Sequence, residues 1–140
     1  MQFAYDAHGN RLSANGTTYD CHPGNVFRLR SVTGGPSNMQ YDLNGNMTSA
    51  DGITMSYTPS KMLQATSVTS GPQVSYAYDA DAWRVKKQVT GSATIYYLRD
   101  PGGRLLTEWQ NTSPNATVKD YVCAGSQLIA VHTSTSLPPK

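Results

Sequence analysis

The sequence predicts an all-β chain, and three observations carry that reading. Tyrosines recur in one register, the residues around them alternate apolar and polar with period 2, and no segment sustains a helical period. In "VSYAYDADAWRVKKQV", Val74, Tyr76 and Tyr78 share one parity while Ser75, Ala77 and Asp79 share the other. After Ala80-Asp81-Ala82, Trp83, Val85 and Val89 fall on one parity and Arg84, Lys86 and Gln88 on the opposite one. Period 2 places each parity on one face of a strand, so this stretch reads as a hairpin.

The hairpin is one copy of a series. Tyr5-Asp6, Tyr19-Asp20, Tyr41-Asp42 and Tyr78-Asp79 repeat the dipeptide, and Tyr57-Thr58, Tyr97-Leu98 and Tyr121-Val122 stand as degenerate copies. Successive tyrosines lie 14, 22, 16, 21, 19 and 24 residues apart. Two strands of about 6 residues with their turns use up such a spacing. A lone hairpin cannot bury its apolar face, so each copy must stack on its neighbours.

Taken in order, "YDAHGNRLSA" opens the series with Gly9-Asn10 as its turn pair. Tyr19 follows with Gly24-Asn25, and "YDLNGNMTSA" with Asn44-Gly45. Gly and Asn tolerate the positive φ that tight hairpin turns require. "YTPSKMLQATSV" keeps the pattern, its "PSKMLQA" amounting to one helical turn at most. "YLRDPGGRLLTEW" and "DYVCAGSQLIAV" close the repeats near residue 131, and "HTSTSLPPK", residues 132–140, is an unpatterned tail. The expected architecture is an antiparallel sheet of about 10 to 14 short strands, curved or solenoid-like. The repeated Asp residues (Asp6, Asp20, Asp42, Asp79) stand before turns, where Asp bonds local amides.

This register resembles the YD repeat of the Rhs/YD-repeat family, which includes bacterial Rhs proteins, toxin-complex C components and the teneurin shell. "YDAHGNRLSA" and "YYLRDPGGRLLTEW" are close to the family pattern, and "DYVCAGSQLIAV" is similar to the segment near the end of the Rhs shell. The likeness covers residues 3–131. It implies a truncated C-terminal part of a β-shell, an extracellular or cell-surface setting, and a capacity for carbohydrate. Family shells use dozens of repeats, whereas this chain has about seven and lacks the family's Asp-rich self-cleaving block and a toxin domain.

Composition limits the remaining functions. The chain has 140 residues and only 14% charged residues, about half the roughly 25% usual for soluble domains. A net charge of +2, with Lys86-Lys87 the one adjacent basic pair, gives no basic stripe for nucleic acid. No apolar run reaches the roughly 20 residues of a membrane helix, and no signal peptide opens the sequence. Cys21 and Cys123 match no zinc or redox spacing and stand as free thiols or as one bridge. His8, His22 and His132 share no ligand spacing, so neither a metal nor another cofactor is expected.

Three roles remain. The first is architectural: a shell or scaffold segment whose unpaired end strands invite self-association, or pairing with the rest of a shell. The second is a carbohydrate-binding surface on Tyr76, Tyr78, Tyr97, Trp83 and Trp109, against which stands their use as cross-strand pairs. The third is a small glycoside hydrolase, with Glu108 and either Asp100 or Asp120 as paired carboxylates. Alternation places Glu108 opposite Trp109 and together with Leu106. Because a turn former is needed in every copy and a catalytic carboxylate only once or twice, the repetition favours the architectural role.

Overall fold

A computed structural model describes residues 1–112 and 115–136. The strands in chain order are β1 (Phe3–Tyr5), β2 (Arg11–Ala14), β3 (Thr17–His22), β4 (Asn25–Val32), β5 (Gln40–Tyr41), β6 (Met47–Ala50) and β7 (Ile53–Tyr57). They continue as β8 (Leu63–Val68), β9 (Gln73–Tyr78), β10 (Arg84–Val89), β11 (Thr94–Arg99), β12 (Leu105–Thr112), β13 (Asn115–Ala124) and β14 (Gln127–Ser136). No helix occurs among the described residues. β1 to β4 form one sheet and β5 to β14 a second, each antiparallel with its strands side by side in chain order. The all-β, hairpin-after-hairpin expectation therefore holds. β14 continues through His132 to Ser136, so the tail expected from residue 132 starts inside a strand, and residues 137–140 lie outside the described residues.

The repeat is visible as a five-residue turn. At Asp6, Asp42, Thr58, Asp79 and Asp100 the first residue's amide donates to the carbonyl four residues on, at 2.8–3.0 Å. The fourth residue's amide returns to the first carbonyl at 2.9–3.2 Å. The first residue's side-chain oxygen then accepts the fifth residue's amide at 2.8–3.1 Å. Every fourth residue has positive φ: Gly9, Gly45, Lys61, Ala82 and Gly103. Six residues after the turn's first residue the returning strand carries an unpaired extra residue, Leu12, Thr48, Gln64, Val85 and Leu106 respectively. Such bulges bend a strand and increase its twist, and they recur along one rim of the sheets.

The bulges change the expected faces. Arg84 pairs with Tyr78, and Lys87 and Val89 pair with Tyr76 and Val74, so the parity switches at Val85. Likewise Leu105, not Leu106, pairs with Arg99 on the face of Glu108, because Leu106 is the extra residue. Asp20 also departs from expectation. It sits inside β3 and holds the Arg30 guanidinium, and its copy turns later, at Pro23-Gly24. Gly24 has no positive φ, so its turn does not use glycine's freedom. Tyr97 stands two residues before the Arg99-Asp100 turn and so matches Tyr76, not Tyr78; Tyr121 lies inside β13.

The opposite rim uses shorter turns. Asn15-Gly16 and Asp51-Gly52 are two-residue loops with both residues at positive φ, as type I′ hairpins require. A second repeat joins them: Val32-Thr33-Gly34, Val68-Thr69-Ser70 and Val89-Thr90-Gly91. In each, the valine carbonyl accepts the amide three residues on, at 2.9–3.0 Å. Each threonine amide reaches back to a neighbouring strand's rim, at Thr18, Gly52 or Gln73 respectively, over 2.9 Å.

Every substantial contact between elements runs between consecutive strands. The two sheets meet where the Met39 amide donates to Arg30 O at 3.0 Å. Met39 O lies 2.7 Å from His22 Nε2, and a carbonyl only accepts, so Nε2 carries the proton. Among the described residues the buried apolar ones are Met39, Ala50, Ala93 and Ala116, and no large side chain is fully buried. The chain exposes 9487 Å². A compact monomer of 15.2 kDa exposes about 7,100 Å². The excess is what sheets without a covering layer leave to solvent.

Candidate functional site

All the tyrosines of the ten-stranded sheet but Tyr96 share one face. Cross-strand pairing puts Tyr57, Tyr76, Tyr78 and Tyr97 there, with Glu108 opposite Tyr97 and Lys119 opposite Glu108. Tyr57 Oη donates to Met47 O at 2.9 Å, and Tyr78 Oη donates to Leu63 O at 2.8 Å. Both acceptors are the residue that follows the preceding copy's five-residue turn, so the hydroxyl ties each unit to the one before. Phenylalanine at these two positions would fill the same space without that bond.

Cations lie over many of these rings. The Arg84 guanidinium sits between Tyr76 and Tyr97, 5.5 and 5.0 Å from their centroids. Arg11 covers Phe3 and Tyr19, Arg28 covers Tyr41, Arg99 covers Trp83, and Lys86 covers Tyr96. Seven such contacts occur among the described residues, where a chain of this length has about two. Each contributes roughly 0.5–1 kcal/mol at an exposed site. In a sheet with almost no buried side chains, that lateral packing stands in for part of a core.

The residues singled out for binding do not form one platform. Tyr76, Tyr78 and Tyr97 share a face, but Trp109 pairs with Tyr96 and Val118 on the other. There Tyr96 and Trp109 pack with ring centroids 5.5 Å apart. Trp83 is the last residue of its turn, and its ring lies against Gly103 of the next turn, beneath Arg99. A groove of about 380 Å³ runs between these two turns, lined by Asp79, Asp81, Trp83, Tyr97 and Arg99 among others.

The carboxylates are dispersed as well. Asp100 accepts the amides of Gly102 and Arg104 at 2.9 Å, and Asp79 those of Asp81 and Trp83 at 3.1 and 2.8 Å. One oxygen of each, Oδ1, is therefore occupied by its own turn. Asp120 pairs across with Thr107, whose hydroxyl donates to it at 2.9 Å, and so stands on the face opposite Glu108. Glu108 and Asp120 therefore do not face one another across a cleft. The period of 2 already implied this for residues 108 and 120, once β12 and β13 were set in register.

Local hydrogen bonding tunes the turn acids. The side-chain amide of Asn10 holds the Asp6 carboxyl below its ordinary value, and Asn46 does the same for Asp42. The Ser37 hydroxyl lowers Asp51, tying that turn to the linker before β5. Burial pushes the phenols of Tyr97 and Tyr121 up, with the nearby Glu108 charge adding to both. Cys21 and Cys123 are free thiols in β3 and β13. His8 lies 4.0 Å from Asp6, and His132 lies 4.0 Å from Asp120. No cluster of three His, Cys, Asp or Glu that could hold a metal occurs among the described residues, and no helix there is long and apolar enough to cross a membrane.

No family model matches the chain, and no curated protein matches it.

Proposed function

We propose that the chain is an architectural module of the YD-repeat kind, a segment of sheet wall that associates through its open edges. The observation that carries this is that no second layer covers the sheets among the described residues. Successive turn-and-bulge units stack only on their neighbours, and the surface left exposed exceeds that of a compact monomer by about 2,400 Å². That excess on one copy is larger than the roughly 800 Å² each partner buries in a standard interface, so there is surface enough for one. The aromatic rings support the same reading. Arg84 occupies ring faces of Tyr76 and Tyr97, and Gly103 and Arg99 occupy the ring of Trp83. These rings hold strands and turns together, which a shell wall at a cell surface requires.

The test is the particle mass in solution. Light scattering over a range of concentrations is expected to give at least two copies per particle. A monodisperse monomer at high concentration, with its β circular-dichroism signal intact, would contradict the reading.

A further inference from the structure

We infer that β14 is the assembly edge, and that its partner is β14 of a second copy, paired antiparallel about Thr133. The inference rests on the architectural reading above. β14 is the last strand of the ten-stranded sheet, so its outer side has no strand against it among the described residues. In the four-stranded sheet the edge strand β1 has three residues, and the other edge, β4, has eight but already bonds the 36–39 segment through Val32 N to Pro36 O and Met39 N to Arg30 O, while β14 has ten. At the far end of the ten-stranded sheet, β5 has two residues and lies beside the Met39–Arg30 bond to the other sheet.

Protein edges are ordinarily blunted by charge, by proline or by a covering element. "QLIAVHTSTS" contains no Lys, Arg, Asp, Glu or Pro. Leu128, Ile129 and Val131 are 52%, 64% and 46% exposed. A long, neutral, apolar edge is a template for strand addition.

The register follows from the bulge. Val122 pairs with Ala130 and Cys123 with Leu128, so Ile129 is the extra residue and the regular ladder runs from Ala130 to Ser136. The midpoint of that stretch is Thr133. An antiparallel pair related by a two-fold axis through Thr133 sets Ala130 opposite Ser136, Val131 opposite Thr135 and His132 opposite Ser134. Every pair falls on one face, as opposed residues must. The axis falls on a Thr–Thr pair, which is favourable across strands, and it keeps the two copies of His132 from facing one another. A self-complementary edge closes into a dimer and does not propagate. Two ten-stranded sheets then become one continuous sheet.

The test uses the full chain by sedimentation velocity. The unchanged protein is expected to be a dimer. Thr133→Lys sets two ammonium groups opposite each other on the axis, and Thr133→Glu two carboxylates. Each is expected to sediment as a folded monomer, and an equimolar mixture of the two to recover the dimer. Thr133 is exposed, so neither side chain has to enter a core.

A second variant stands in should the charged ones unfold. Opposed residues have Cα atoms about 4.5–5.5 Å apart, within disulfide reach. In a Cys21→Ser, Cys123→Ser background, Thr133→Cys is expected to oxidise to a covalent dimer. Val68→Cys, exposed on β8 inside the sheet, is expected to stay monomeric. A dimer that persists in Thr133→Lys, or a Thr133→Cys variant that crosslinks no more than Val68→Cys, would overturn the β14 pairing while leaving self-association standing. A folded monomer of the unchanged protein would overturn both.

Discussion

Gly103→Ala is expected to lower stability by about 2–4 kcal/mol and to release Trp83 into water. Two independent costs meet at this residue. Its φ is +84°, a region an alanine enters only with strain, at about 1–2 kcal/mol. A Cβ built there would also overlap the ring atoms Cζ2 and Cε2 of Trp83, so the indole must leave. Leaving separates it from the Arg99 guanidinium, 5.4 Å from the ring. Gly9 supplies the control. Its φ is also +84° and nothing lies near its Cβ position. Gly9→Ala is therefore expected to show the backbone cost alone. Urea midpoints give the stability difference, and a red shift of tryptophan emission in Gly103→Ala alone reports the displaced ring. Equal midpoints for the two variants would contradict the stacking of Trp83 on the next turn.

Met39→Ala is expected to cost about 2–4 kcal/mol and to uncouple the two sheets. Met39 is 7% exposed, one of four buried apolar residues among the described residues. Its amide and carbonyl are both used at the junction, toward Arg30 and His22, and its thioether lies 3.7 Å from the Tyr41 hydroxyl. Truncation leaves the backbone bonds available but removes the packing that holds them in place. Both tryptophans lie in the ten-stranded sheet's half of the chain, so their fluorescence is blind to β1–β4. In the variant, circular dichroism is expected to begin its loss at a lower urea concentration than tryptophan emission. Coincident transitions at the unchanged midpoint would show that the junction does not depend on Met39.

Strand-by-strand architecture is legible in the sequence because turn formers and aromatics recur at hairpin spacing. Asp6, Asp42 and Asp79 stand where an Asx-type turn needs a carboxylate, and they make those bonds. Facing is less legible. A bulge opposes two residues to one, and nothing in a period-2 pattern marks where that occurs. Parity therefore misplaces Val85 and Leu106. It also sets Tyr97 in the wrong frame, because Arg99 takes the position that Tyr78 takes in the preceding copy. The chemistry of that copy follows Asp100. Asp20 looks like its counterparts, yet Pro23, an extra residue before Gly24, moves its turn away and leaves the carboxylate to Arg30. The Val-Thr turns of the other rim stand in plain text at residues 32, 68 and 89, but small polar tripeptides carry little weight beside tyrosines.

Candidate sites are hardest to read because they require cross-strand distances. Trp109 and the tyrosines look equivalent as aromatics. Only the pairing of Tyr97 with Glu108, and of Tyr96 with Trp109, separates them onto two faces. The cation over each ring is equally hidden, since Arg84 reaches Tyr76 and Tyr97 from a different strand than either.

Consecutive hairpins pair into sheets that no second layer covers among the described residues. Nuclear Overhauser contacts measured on the labelled protein test this most directly. The expected pattern links Met55 with Thr66, Tyr76 with Lys87, Tyr97 with Glu108 and Trp109 with Val118, each across neighbouring strands. Within one copy, side-chain contacts between distant strands, such as Ile53 with Tyr121, would mean a closed barrel or a two-layer sandwich and would contradict it.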